Sequence, residues 1–304
     1  MISLNVHNET SSLEAVVLGL PNDFGGTPKL ANCYDPKSRE HVQNGTFPTQ
    51  EDITNEMNAL LAVFQRYGVA VYRPENMLGL NQVFSRDIGF VIANSFVIPN
   101  IIADREKEIQ AISHIHDQIS SENILSTPTD CRIEGGDVMP NNEYIFVGYS
   151  DESDFNTYQV ARTNTYALEF LGRHFPEKKV KGFELKKSDT NAKENALHLD
   201  CCFQPIGKDL AILYEGGFKN QSDVDFIVDF YKKENIIFIS QDEMYHMCSN
   251  VFSLSPKVIV SEQGFTRLNN ELRNRGFTVE EVSYAEIAKM EGLLRCSTLP
   301  LRRK

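Results

Sequence analysis

The sequence predicts a mixed α/β fold built as one continuous domain over residues 1–304. Short apolar and β-branched runs alternate with helix-period segments along the whole length, the pattern of a chain that mixes strands and helices throughout. No Pro/Gly/Ser-rich linker or low-complexity segment interrupts that alternation. With 41% apolar and 24% charged residues, the chain has the makeup of a globular protein able to bury a real core.

Period-two or continuous apolar runs predict strands over Glu14–Leu18, Val69–Tyr72, Gly89–Ile92, Ser95–Pro99, Tyr144–Gly148 and Val180–Leu185. The same signal continues over Leu197–Phe203, Leu210–Tyr214, Ile236–Ile239, Val251–Leu254, Val258–Ser261 and Thr278–Val282. The clearest helix follows Thr49-Gln50-Glu51-Asp52, a capping-box start, with Ile53, Met57, Leu60, Leu61 and Phe64 on one face and Gly68 at its end. Others start at Ser222, run through Phe265, Leu268 and Leu272 to Gly276, and cover Arg105–Ile119, Thr163–His174 and Tyr284–Met290. Helices separated by strand pairs suggest a repeated unit, although no self-similarity in sequence is strong enough to count repeats.

Several classes are excluded at this level. The opening Met1–Glu9 has no basic segment followed by an apolar one, and no stretch approaches bilayer length, so a cytoplasmic protein that does not enter a membrane is expected. A formal charge of −12 without basic stripes argues against nucleic acid and agrees with a small cationic substrate. The six cysteines form no CxxC pair, which fits reduced thiols. Cys201 and Cys202 are adjacent and ill-placed to share one tetrahedral ion, and His114, His116, His246 and Cys248 lack ligand spacing. Neither a metal nor a cofactor is expected.

Four segments carry chemistry-bearing residues. Cys296 lies in Arg295-Cys296-Ser297-Thr298, close to the end of the chain, where the following Leu299-Pro300-Leu301 suggests a docked tail. A buried thiol is usually inert, so the cysteine alone is a weak signal. In Leu197-His198-Leu199-Asp200-Cys201, strand alternation would set His198 and Asp200 on one face. In Glu134-Gly135-Gly136-Asp137 the glycines permit a backbone that turns an acid inward, or simply a turn. Arg86-Asp87 enters an apolar strand and, taken alone, reads as an ion pair at a strand mouth.

In that order and at that spread, the four segments resemble the guanidino-group-modifying superfamily of arginine deiminases, dimethylarginine dimethylaminohydrolases and glycine amidinotransferases. The likeness begins at Asn8–Gly19 and continues through Phe146-Val147-Gly148, Arg162-Thr163-Asn164 and Ser249–Leu254 to the cysteine. It implies a five-bladed α/β propeller with pseudo-five-fold units around a central channel. Asp200 follows the deiminases and amidinotransferases, whereas the tail Glu291–Cys296 is closer to the dimethylargininases.

A guanidinium is planar, cationic and stabilised by delocalisation, so breaking it requires carboxylates that hold it flat and a strong nucleophile. The resemblance implies Cys296 as that nucleophile, His198 as general acid and base, and Glu134 as the group orienting the imidazole. Asp87 and Asp200 would bind the guanidinium, Asp137 would support the glycine turn, and Arg162 would fork the carboxylate of an amino-acid substrate. Arg86 and Arg295 are weaker substrate-binding candidates that equally well balance local acids. The expected activity is hydrolysis of arginine or an N-substituted arginine to citrulline and ammonia or an alkylamine. Transfer of the amidino group to an amine and a non-catalytic binding propeller both stay open, and a homodimer is compatible with the resemblance.

Overall fold

The computed structural model describes residues 1–304 as an α/β structure with five three-stranded sheets. Every sheet has the same plan: an antiparallel strand pair, then a crossover to a third strand that runs parallel to the second. Phe90–Ile92 pairs antiparallel with Ser95–Ile98, which pairs parallel with Ile124–Ser126. Val138–Asn141, Tyr144–Tyr149 and Lys179–Glu184 repeat the plan. So do Phe203–Ile206, Leu210–Leu213 and Ile236–Phe238, and then Phe252–Ser255, Val258–Glu262 and Thr278–Val282.

The fifth sheet takes its first strand from the far end of the chain. Thr298–Arg303 pairs antiparallel with Leu13–Leu18, which pairs parallel with Ala70–Tyr72. Leu299 and Leu301 are completely buried, so apolar burial and a full strand ladder hold the C-terminal tail. This docking fixes Cys296, just ahead of the strand, within the largest apolar cluster of the core.

The crossover helices are amphipathic segments laid over the sheets. Gln50–Arg66 starts at a reciprocal capping box between Thr49 and Asp52 and buries Ile53, Met57, Leu60, Val63 and Phe64. Thr165–His174, Gln221–Tyr231 and Thr266–Asn274 do the same for other sheets. The expected helix over Arg105–Ile119 is instead a 3-10 turn, Ala103–Arg105, followed by the short helices Glu106–Gln110 and Ser113–His116. The break has a visible cause, because the Ala111 carbonyl accepts from the Glu75 N–H at 2.7 Å, outside the helix. Tyr284–Met290 likewise reduces to a 3-10 turn, Ile287–Met290.

The expected strand Leu197–Phe203 is corrected. Leu199–Cys201 is a 3-10 turn with His198 at its N-cap, and the strand starts only at Phe203. Every residue from Ala196 to Ile206 is buried, so the alternation of Leu, His and Asp does not distinguish a core face from a solvent face. No helix is long and apolar enough to cross a membrane.

Candidate active site

The turns that lead into the first strand of each sheet converge. They bring in Asp87, the Glu134–Asp137 segment, the His198–Asp200 segment, Asn250 and Cys296, all buried. Cys296, His198, Asp87 and Arg162 line one cavity of about 400 Å³. Tyr34, Asp35, Arg105, Glu108 and Glu291 share its wall, with Phe24, Phe47, Phe84, Leu80 and Met290 supplying apolar surface.

His198 is positioned from several directions. Its Nε2 lies 2.9 Å from Glu134 Oε2, which leaves Nδ1 as the nitrogen outside that bond, 3.7 Å from Asp87 Oδ1. The ring sits over Gly136, where an added Cβ would come 2.6 Å from Nδ1 and 2.9 Å from the Asp87 carboxylate. Only glycine permits that approach. Lys187 donates to the carbonyls of Ala196 and Leu197 at 2.8 Å each, and Asp137 Oδ1 accepts the Leu199 N–H at 2.9 Å, so the backbone is held on both sides of the histidine. Asp137 therefore supports the histidine turn as well as its own.

Charge sets the protonation states here. Burial alone would depress the His198 imidazolium, but Asp87, Asp137 and Glu134 outweigh it and raise its pKa above the usual 6.5. Burial opposes the charge on Glu134 too, yet Arg162 and His198 hold that carboxyl far below the ordinary range. A protonated imidazolium paired with a carboxylate results. The Cys296 thiol is pushed well up by burial and by the neighbouring Asp200 and Asp87, with the Leu293 N–H and Arg295 acting in the opposite sense. In the unliganded site the neutral thiol is favoured, and a bound cation would favour the thiolate.

The acids read as guanidinium clamps are each paired with a buried arginine. Arg105 Nη1 donates to Asp87 Oδ2 at 2.6 Å, while Gly136 N–H donates to Oδ1 at 3.0 Å. Arg105 also forks Glu108 at 2.7 and 2.9 Å. Asp200 Oδ2 lies 2.8 Å from Arg295 Nη1 and 3.6 Å from Cys296 Sγ, and Asp200 does not line the cavity.

Two of the predicted substrate-binding arginines are corrected by geometry. Arg295 is fully buried and donates all five of its N–H groups: two to Glu9, one to Asp200, and one each to the Gly136 and Val138 carbonyls. Arg86 lies behind the site as well, 3.8 Å from Glu9 and donating to the Arg295 carbonyl. Neither faces the cavity. Arg162 does, and it uses only two donors, on Glu134 Oε2 at 3.1 Å and the Tyr34 carbonyl at 3.0 Å. Its Nε is buried without a partner.

Asp87, Glu134 and His198 also bring three ligand atoms within 4.8 Å of one another. Those groups already engage Arg105, Arg162, the Gly136 N–H and each other, so an ion there would have to displace two buried arginines. The donor set fits a charge-paired acid–base site better than a metal cage.

Sequence reasoning missed Arg105, Glu108, Tyr34, Asp35 and Glu291. Arg105 was hidden by its assignment to a regular helix, and Asp35 reaches the wall as the N-cap of the unpredicted helix Pro36–Gln43, accepting from Ser38 N at 2.6 Å. A Pro after Asp is the signal that would have found it. Glu291 has φ +59° and is set five residues before the cysteine, where only tertiary structure turns it inward.

Five repeated sheets around convergent acids, a histidine and a thiol define the guanidino-group-modifying superfamily, which includes arginine deiminases and amidinotransferases. The family model for eukaryotic N,N dimethylarginine dimethylhydrolase matches residues 33–303, and the chain belongs to that family. The uncharacterized protein YkgA of Bacillus subtilis is 31% identical over 223 residues, 73% of this chain and 70% of that protein. Arginine deiminase of Staphylococcus aureus strain MRSA252 is 26% identical over 270 residues, covering 74% of this chain and 62% of the deiminase. Among solved structures, SxtG, an amidinotransferase from Microseira wollei in the saxitoxin biosynthetic pathway, has a TM-score of 0.76 at 17% identity, over 99% of this chain and 97% of that one. The substrate-bound N-terminal domain of ArgZ, an arginine dihydrolase from the cyanobacterial ornithine-ammonia cycle, has a TM-score of 0.79 at 16% identity, over 95% and 98%. At those identities the likeness is one of fold.

Proposed function

We propose that the chain is a thiol-dependent hydrolase of arginine or an N-substituted arginine, acting as one catalytic unit whose five sheets close as propeller blades around the cavity. The observation that carries this reading is that Cys296, His198, Asp87 and an arginine with free donors open onto one cavity.

The substrate guanidinium lies against Cys296, its cationic nitrogens toward Asp87 from the cavity wall. Asp200 is 3.6 Å from the sulfur, near enough to accept from a nitrogen whose carbon is bonded to that sulfur. Arg162 and Arg105 stand on the same wall to receive the substrate's α-carboxylate. Binding a cation beside the thiol favours loss of its proton.

Cys296 thiolate attacks the guanidino carbon and forms a C–S bond. The C–N bond to the departing amine breaks, and His198 gives that nitrogen its proton. The product of this half is a thiouronium on Cys296. Water then adds to the same carbon, loses a proton to His198, and the C–S bond breaks with the electron pair returning to sulfur. The sum is substrate plus water giving citrulline and ammonia or an alkylamine.

An assay offering arginine, methylated arginines, agmatine and guanidinoacetate, with and without glycine, tests the reading. Citrulline formation without added amine is expected. Ornithine released only when an amine is supplied would make the chain an amidinotransferase, and no product from any compound would favour a binding module.

A further inference from the structure

Four of the five turns that converge on the cavity already have a part in the chemistry. The turn that enters Phe252–Ser255 contributes Asn250, a neutral side chain with no solvent exposure. It points at the nucleophile. Its Nδ2 lies 3.1 Å from Cys296 Sγ and 3.5 Å from the Asp200 carbonyl, while its Oδ1 accepts the Cys296 N–H at 3.1 Å. The main chain adds a further tie, since the Arg295 N–H donates to the Asn250 carbonyl at 3.3 Å.

The orientation of this amide is fixed by chemistry. A backbone N–H can only donate, so the atom facing Cys296 N must be the amide oxygen, and the NH₂ must then face the sulfur and the Asp200 carbonyl. The other side-chain groups near the sulfur make the need for such a donor plain. Asp200 lies 3.6 Å away, and Arg295 is engaged in all five of its N–H bonds elsewhere. A thiolate formed here would face a carboxylate, with the carboxamide as its one neutral side-chain donor.

We propose that Asn250 is a catalytic residue: its side-chain N–H bonds the Cys296 sulfur, stabilises the thiolate over the thiol, and aims it at the cavity through the second bond to the Cys296 backbone. The step involved is a proton leaving Sγ, with the N–H···S bond strengthening as negative charge appears on sulfur. The inference rests on Cys296 being the nucleophile. It does not depend on which guanidino compound is the substrate.

The test uses the full chain without substrate. The rate of Cys296 alkylation by iodoacetamide is followed across pH in wild type, Asn250→Asp and Asn250→Ala, with the modified peptide identified by mass because Cys33 lines the same cavity. Asn250→Asp is isosteric and keeps an acceptor for the Cys296 N–H, so it preserves the turn while removing the donor; thermal unfolding of both variants verifies the fold. Loss of a hydrogen bond to a charged group predicts alkylation slowed roughly tenfold or more at neutral pH and a rate–pH curve displaced upward by about one unit or more. Folded variants whose profiles coincide with wild type, or a wild-type Cys296 that is never alkylated, would overturn the proposal. A protein that shows the predicted shift but turns over none of the guanidino compounds would leave Asn250 in place and sink the proposed substrate class instead.

Discussion

Arg295 and Arg162 are both buried arginines paired with carboxylates, and they do opposite work. Arg295 lies behind the thiol with all five N–H groups bonded to protein, whereas Arg162 lines the cavity with two engaged and a buried Nε left without a partner. The first is a closed hub that ties the N-terminal Glu9 to Asp200 and to the Gly136 and Val138 carbonyls. The second is an open fork. Burial and charge pairing alone do not mark a binding arginine; the tally of unused donors facing a cavity does.

The largest effect falls on the nucleophile. Cys296→Ala is expected to abolish turnover of any guanidino substrate, a loss of at least about a thousandfold, while far-UV circular dichroism and unfolding temperature stay near wild type. Activity within tenfold of wild type would place the chemistry elsewhere.

Breaking the closed hub comes next. Arg295→Met leaves Glu9 and Asp200 buried without their partner, which predicts about 3–5 kcal/mol of destabilisation by urea unfolding. A change under about 1 kcal/mol would show that the hub contributes little net stability.

Acid tests the same hub without a mutation. Burial opposes the charge on Glu9, but Arg295 and Arg86 overcome it and hold the carboxyl at about 2, below its ordinary 4.5. Stability from this lowered value is present above the unfolded pKa and lost as pH falls from there toward 2. Its size is on the order of 3 kcal/mol. Glu9→Gln should flatten that part of the stability–pH curve, and an unchanged slope would contradict the assignment.

The open fork is sharpened by substrate choice. Arg162→Gln should raise KM roughly 10- to 100-fold for substrates carrying an α-carboxylate, as loss of a charge-assisted hydrogen bond predicts. Agmatine, which lacks that group, should be affected equally little in KM by wild type and variant. Equal KM increases for both would mean that Arg162 acts only through Glu134.

Much of this was legible in the sequence. The apolar runs Leu13–Leu18, Tyr144–Tyr149 and Thr278–Val282 appear as strands close to where period and composition put them, because each packs against a helix or a neighbouring sheet. Short or polar strands such as Ile124–Ser126 and Val138–Asn141 had no such signal; their ladders come from tertiary pairing. Residue types and order pointed to Asp87, Glu134, His198 and Cys296, and folding gathers them. What sequence does not encode locally is direction. Arg86 stands beside Asp87 and Arg295 beside Cys296, yet neighbouring residues face opposite sides of a buried turn, so both arginines look away from the cavity their neighbours line. Arg105 reaches Asp87 only because its helix is broken by the Glu75 bond to Ala111.

Acid-quenched mass spectrometry of a His198→Gln variant incubated with arginine or methylarginine tests the central claim most directly, since removing the proton donor and acceptor should let the covalent species accumulate. The expected result is a thiouronium adduct confined to the peptide that contains Cys296. An active wild-type protein whose variant never carries an adduct at that cysteine, or carries it on another residue, would contradict the account.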